Sequence, residues 1–357
     1  MNFMRTACIL LFGTLLIGIS CAREKRFEKI ERFQLVEVAT SEKLWTGIAV
    51  SGEGRIFVNY PRWFPDVRLS VAELLEDGTV WPYPDETWNS WSAGAPAEQR
   101  FICVQSVFID SGDFLWVLDP ARPYLQDIIE NGPKLVKIDL SDNRVVRIYT
   151  FPSEITPQGS YLNDVRVETG KGFAYITDSG LGAIVVLDLK SGKSRRVLTE
   201  HPSVKAEEIV LSIDGREWPG KVHSDGLALD TDRGYLYYQA LTGLNLYRIP
   251  TRWLRNATLT EEELGARVEP AGESGASDGI AFGRDGCVYL TSLEHNAIRR
   301  MTPDGEIEVV ARDPRLKWPD SVFLTDDGSV FVTTSQIHLL DSLSEPFRIL
   351  KLVPEGS

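Results

Sequence analysis

Residues 221–240 read KVHSDGLALDTDRGYLYYQA. Two short apolar runs rich in β-branched and aromatic residues flank a turn built from Asp, Thr and Gly, which is the signature of a β-hairpin. A single carboxylate, Asp225, stands immediately before the first run. The same sentence recurs at 276–292 (ASDGIAFGRDGCVYLTS) and at 318–334 (WPDSVFLTDDGSVFVTT). Looser copies occupy 44–60 (LWTGIAVSGEGRIFVNY), 104–119 (VQSVFIDSGDFLWVLD) and 162–178 (LNDVRVETGKGFAYITD).

Several copies are followed by a second hairpin, as in KLVKIDLSDNRVVRIYTF, AIVVLDLKSGKSRRVL, AIRRMTPDGEIEVVA and, after the first copy, VAELLEDGTVWPYP. Two hairpins make a four-stranded antiparallel sheet, and a radial array of such sheets is a β-propeller. The pattern predicts an all-β, six-bladed β-propeller over residues 33–357. Its last copy is followed by EPFRILKLVP, one outer strand without a mate, and the alternating FQLVEVA at 33–39 precedes the first blade alone. Pairing the two closes the ring and leaves no free edge. Apart from LSVAELLED and TRWLRNATLTEEELGA, both brief, no stretch repeats apolar residues at helical spacing.

The 357 residues carry a formal charge of −13, with no basic stripe, which excludes a nucleic-acid partner. Residues 1–20, MNFMRTACILLFGTLLIGIS, follow the grammar of an export signal. Gly18, Ile19 and Ser20 before Cys21 resemble a lipoprotein cleavage box; the alternative is an ordinary cleaved signal peptide or a membrane anchor. Residues 21–32 read as a linker. The expectation is an exported protein, in the cell envelope or periplasm or secreted, touching a membrane only through a lipid at Cys21. Cys103 and Cys287 lie in separate strand-like runs and are expected as buried free thiols.

The position before each inner strand holds Thr46, Ser106, Asp164, Asp225, Asp278 and Asp320. In a propeller such positions form a ring facing the central channel. Converging carboxylates either hold their protons to higher pH or gather a cation, and oxygen ligands without cysteine favour Ca²⁺ over Mg²⁺. The competing reading is that these aspartates cap strand starts through backbone N–H groups. Asn163 adjoins Asp164 and His223 precedes Asp225 by two residues, so both are candidates for the channel. In WPYPDETWNSW, Trp81, Trp88 and Trp91 either box a flat or cationic ligand or pack the loop onto the rim.

RIFVNYPRW, SVAELLEDGTVWPYPDETWNSW, LWVLD, SYLNDVRVETGKGFAYITDSGLGAIVVLDLKSGKSRRVL and DGLALDTDRGYLYYQALTGLNLYRIPT together resemble the major royal jelly protein and Yellow family, in particular its bacterial members. That resemblance implies a six-bladed propeller and a varied chemistry, including dopachrome conversion and the binding of biogenic amines. More distantly the chain is similar to the calcium-dependent gluconolactonases. This second likeness implies a metal held by Asn163, Asp225 (where Asn is usual) and Asp278, with Asp278 also as the catalytic acid–base group. The glutamate those enzymes carry on their first blade is absent, and Trp45 and Thr46 stand there.

Three readings follow. The first is a propeller that binds a small polar or aromatic molecule at its channel, with Asp164, His223, Asp320, Thr46 and Ser106 as contacts and Ca²⁺ as cofactor. The second is a metal-dependent lactonase, and the third an enzyme that rearranges catechol derivatives. An adaptor role for other proteins is a further alternative.

Overall fold

The computed structural model describes residues 33–354. The leader at 1–20, Cys21 and the 21–32 linker lie outside the described residues. Six four-stranded antiparallel sheets form the blades of a propeller. Their innermost strands are Ile48–Val50, Ser106–Ile109, Leu162–Glu168, Ser224–Asp230, Ile280–Phe282 and Pro319–Leu324, for blades 1 to 6 in chain order. Each inner strand contacts the next around the ring, and that of blade 6 returns to blade 1.

The closure expected from the two chain ends is present. Strand Phe33–Ser41 pairs antiparallel with Phe347–Pro354, from Phe33 opposite Pro354 to Ser41 opposite Phe347, as the outer strand of blade 6. Both ends of the described chain are thereby built into one sheet, so unfolding either exposes the edge of the other.

Apolar side chains fill each gap between neighbouring blades. Phe57, Val107 and Val117 join blades 1 and 2, and Trp116, Leu135 and Val165 join blades 2 and 3. Tyr175, Leu227 and Tyr238 join blades 3 and 4, Ala228, Leu246 and Leu290 blades 4 and 5, Ile298, Val332 and Leu350 blades 5 and 6. Ile48, Phe331 and Ile349 close the circle. Every blade is covered on both faces, which is why the strands read as near-continuous apolar runs instead of strict alternation.

Of the two brief helical stretches in the sequence, the second forms helices Thr251–Arg255 and Glu261–Gly265, the latter opened by a Thr260/Glu263 capping box. The first contains strand Val71–Leu74. Among the described residues no helix is long and apolar enough to cross a membrane. Cys103 and Cys287 are free and buried, as expected.

Candidate functional site

The ring position is set by backbone irregularity. In blade 3 Leu162 lies opposite Asp178 but Val165 lies opposite Ile176, so an extra residue is accommodated around Asn163 and Asp164. The same shift occurs between Ser224 and Leu227 in blade 4 and between Pro319 and Val322 in blade 6. A β-bulge leaves one residue out of the ladder and re-aims its side chain. The amide of Asp164 is then satisfied by Thr177 Oγ1 at 3.0 Å, that of Asp278 by Thr291 Oγ1 at 2.9 Å, and that of Ser321 by Thr333 Oγ1 at 3.0 Å.

The glycines of the repeated Asp-Gly pair serve the same geometry. A Cβ on Gly226 would lie 2.3 Å from the carbonyl oxygen of Asp278, and one on Gly279 2.2 Å from that of Asp320. Each inner strand passes against the carbonyl of the next acidic position, and only a residue without a side chain fits there.

Asp164, Asp225, Asp278 and Asp320 are all buried. Asn163 Nδ2 donates to Asp225 at 2.7 Å, Ser106 Oγ to Asp164 at 2.9 Å, and Trp318 Nε1 to Asp278 at 2.7 Å. Burial is the first cause raising all four carboxyls above the ordinary range, and mutual repulsion adds to it for Asp225, Asp278 and Asp320. Asp278 is pushed up to about 7, and Asp225, which faces it closely enough to share a hydrogen bond, goes well above its usual value. The pair therefore retains a proton near neutral pH.

Among the described residues, Arg166 brings a positive charge into this well. Arg166 lies two residues after Asp164 on the same inner strand. Its guanidinium stands 3.6 Å from the Asp164 carboxylate and crosses the channel to donate to the carbonyl of Ile280 in blade 5 at 2.9 Å. Burial lowers the Arg166 pKa while Asp164 opposes that shift. Beside it is a channel cavity of about 260 Å³ lined by Ser106, Phe108, Asp164, Arg166, Phe282 and Phe323 among others.

The opposite side is covered by a hairpin inserted between blades 3 and 4, strands Leu211–Ile213 and Arg216–Trp218. Its apolar side packs Leu211 and Ile213 with Leu241, Leu293 and Trp318. Its tip residue Asp214 receives Asn296 Nδ2 of the blade 5 loop at 2.6 Å and bonds His338 Nε2 of the blade 6 loop at 3.0 Å. Trp318, which holds Asp278, lies between these parts, edge-to-face with the Trp218 ring at 4.9 Å and stacked with that of His338 at 5.8 Å. Its φ of +50° is a strained conformation for a bulky residue, held by full burial.

The structure thus brings Asp164, Asp225, Asp278 and Asp320 within reach of one another's charge, with Ser106 bonded to Asp164 and Asn163 to Asp225. Thr46 occupies the equivalent place in blade 1, but its hydroxyl donates to the Gln105 carbonyl at 2.8 Å and ties blade 1 to blade 2. His223 is turned away from the carboxylates, its Nδ1 accepting the amide of Ala206 at 2.9 Å and anchoring the insertion. The capping alternative holds for other aspartates. Asp119 and Asp178, each ending a second strand, accept the amides of Ile102, Cys103 and Ala121, and of Tyr161, Gly180 and Leu181.

Trp88 and Trp91 pack into the loop, Trp88 against Phe101 at 4.9 Å and Trp91 beneath Arg62 at 5.7 Å, whereas Trp81 is exposed. Arg166 and Trp318 escaped the sequence reading. Arg166 carried a usable signal, its two-residue offset from Asp164. Trp318 carried none, because its bond to Asp278 spans two blades.

Comparison with known proteins bears on this geometry. The family model for major royal jelly protein matches residues 102–348, from blade 2 into blade 6. The Yellow-related salivary protein SP04 of Phlebotomus argentipes is 27% identical over 248 residues, 63% of this chain and 58% of that protein. The 6-deoxy-6-sulfogluconolactonase of Pseudomonas putida is 26% identical over 152 residues, 42% of this chain and 47% of that one. The chain thus spans about half the length of these curated relatives. Among solved structures, a gluconolactonase from Xanthomonas campestris superposes with a TM-score of 0.57 at 14% identity, covering 93% of this chain and 92% of that one. Regucalcin from Agrobacterium tumefaciens, a calcium-binding protein, gives 0.51 at 15%, covering 88% and 92%. At such identities the two structures speak for the fold alone, and the family match speaks for descent: this chain belongs to the major royal jelly protein family.

Proposed function

We propose that this protein is an exported propeller that binds a small polar or aromatic molecule in its central channel, beside a cation taken up by the acid ring. The observation that carries the reading is the burial of Asp164, Asp225, Asp278 and Asp320 near enough to repel one another, with Arg166 bonded across the channel. Their raised pKa values, caused by burial and mutual repulsion, mean that these carboxyls hold their protons more tightly than ordinary ones. A cation that displaces those protons gains the full attraction of the carboxylates.

The donors suit a hard ion. Asn163, Asp225 and Asp278 present only amide and carboxylate oxygens, and Ca²⁺ accepts such ligands in loose geometry. Among the described residues, no three His, Cys, Asp or Glu side chains already converge as a ligand set. Asn163 instead donates to Asp225, so uptake requires that amide to present its oxygen and the Asp225–Asp278 pair to give up its proton. Bound there, Ca²⁺ would supply positive charge to polarise a ligand's oxygen. The chain's own groups hold the rest: Trp318 fixes Asp278, and Ser106 fixes Asp164.

Thermal melting in EDTA and in millimolar Ca²⁺, at pH 6 and pH 8, tests this. Stabilisation by Ca²⁺ is expected, larger at pH 8, where protons compete less. Identical melting at both pH values removes the cation. Calorimetry with aromatic amines, catechols and sugar lactones then sorts the ligand class, and neither heat nor turnover with any of them leaves an adaptor. Mass spectrometry of the mature amino terminus tests export and the lipid at Cys21.

A second reading, lactone hydrolysis, is favoured by the Asp278 carboxyl at about 7, poised for general-base work at neutral pH. Asp278 would take a proton from the water whose oxygen adds to the lactone carbonyl, and return it to the alkoxide that leaves as the ring opens. Turnover of a sugar lactone lost in Asp278→Asn distinguishes this from binding alone.

A further inference from the structure

Away from the channel, a cavity of about 360 Å³ opens where the insertion after blade 3 meets blade 4, a volume suited to a small metabolite. Its walls include Ser203, Lys205, Glu207, Ala240, Asn245 and Tyr247. Lys205 and, two residues later, Glu207 both line it. Opposite charges are thus presented to one cavity.

Neither charge is spent on the other. The Lys205 ammonium donates to the carbonyls of Leu181 at 2.7 Å and Gly182 at 3.4 Å, and it meets no carboxylate among the described residues. Its third proton is available. Glu207 accepts the Leu244 amide at 3.1 Å and Asn245 Nδ2 at 2.9 Å, both on Oε1, and Oε2 takes no hydrogen bond among the described residues. These bonds fix the two side chains in place, so a ligand meets a preorganised cation and anion.

The third wall is apolar. The Tyr247 ring stacks on Tyr238, centroids 6.3 Å apart, and Ala240 and Pro202 continue that surface. Burial, and after it the nearby Glu207 charge, raises the Tyr247 hydroxyl pKa, which places the hydroxyl in the carboxylate's field.

We propose that this rim cavity binds an α-amino acid: its carboxylate at Lys205, its ammonium at Glu207 Oε2, and an apolar side chain along Tyr247 and Ala240. A molecule with a single charge leaves one wall charge unanswered, and a neutral one leaves both.

Calorimetry on the full chain with phenylalanine and leucine tests it, set against phenethylamine, which lacks the carboxylate, and N-acetylphenylalanine, which lacks the ammonium. Binding at one site per chain is expected, about tenfold weaker or more for each analogue, the loss carried by one charge-assisted contact. Glu207→Gln and Lys205→Met should each weaken phenylalanine to a similar degree, with circular dichroism and melting temperature recorded for both. The analogue series on the unaltered chain stands even where a variant fails to fold. No heat with any amino acid at about 10 mM, N-acetylphenylalanine binding as tightly as phenylalanine, or phenylalanine binding undiminished in both Glu207→Gln and Lys205→Met would each overturn the rim site.

Discussion

Blades 1 and 2 place a hydroxyl at the ring position where blades 3 to 6 place a carboxylate, and their backbones differ accordingly. In blade 1 the register runs unbroken from Ile48 opposite Val58 to Val50 opposite Ile56, and in blade 2 from Ser106 opposite Leu118 to Ile109 opposite Leu115. Blades 3, 4 and 6 carry a bulge at the acid. In blade 5 Asp278 precedes the paired segment altogether. The hydroxyls of Thr46 and Ser106 are spent as donors, to the Gln105 carbonyl and to Asp164. One half of the ring therefore supplies hydrogen bonds and continuous sheet, and the other concentrates charge on re-aimed side chains. An acid alone is insufficient to make such a site: blades 3, 4 and 6 add a bulge, blades 3, 5 and 6 a threonine that takes an amide at the ring position, and blades 4 and 5 a glycine behind the acid.

The contrast breaks most severely at the glycines. Gly279→Ala would drive a methyl group into the Asp320 carbonyl, which is backbone and has no room to move. A loss of about 4 kcal/mol or more, or no folded protein, is expected on chemical denaturation. Gly170→Ala, which meets nothing within 4 Å, serves as the matched control.

Removing the Arg166 cation from the charged half comes next. Arg166→Met leaves Asp164 buried beside its former partner's place and the Ile280 carbonyl without its donor. The cost should be about 3 kcal/mol, measured by urea unfolding at pH 7, and Asp164→Asn in the same chain should recover part of it.

A third test sharpens the electrostatics. Because Asp278 holds its proton more tightly in the folded chain than unfolded, its contribution to stability is full below the ordinary carboxyl range, about pH 4, and is lost as pH rises through about 7. Asp278→Asn should therefore flatten the decline between about pH 5 and pH 8 by something on the order of 2 kcal/mol. Burial lowers the pKa of His223 and His338, and these act in the opposite sense. The measure is thus the difference between variant and parent, not either curve alone. Parallel curves would mean that Asp278 is ionised in the fold.

The smallest effect concerns the hairpin side. Trp318→Phe keeps an aromatic ring beside Trp218 and His338 but removes the donor to Asp278. That bond lowers the Asp278 pKa, so its loss should move the carboxyl titration upward, read by NMR, with about 1.5 kcal/mol of stability. A titration that stays put would show that the indole is packing only.

Much of this architecture could be read in advance because it is local. Apolar runs separated by Asp, Gly and Ser turns specify hairpins wherever they occur, and counting them reached the blade number. The unpaired edges of FQLVEVA and EPFRILKLVP were legible for a similar reason, since an orphan strand at each end has few other mates. The repeated carboxylate was also visible as a position. Its surroundings were less so: His223 shares the spacing of a channel residue yet serves the insertion, because the chain between Leu198 and His223 folds back on itself first.

By itself the sequence determined the inner hairpins, the number of blades and the ring they close, since each depends on residue spacing along a short stretch. Tertiary structure alone decided that Arg166 reaches across to blade 5, that Trp318 grips Asp278, and that the hairpin tip at Asp214 ties the loops of blades 5 and 6. The physical reason is distance. Those contacts join residues on different blades, and their meeting depends on the ring's radius and the sheets' twist, which no local pattern of residues encodes.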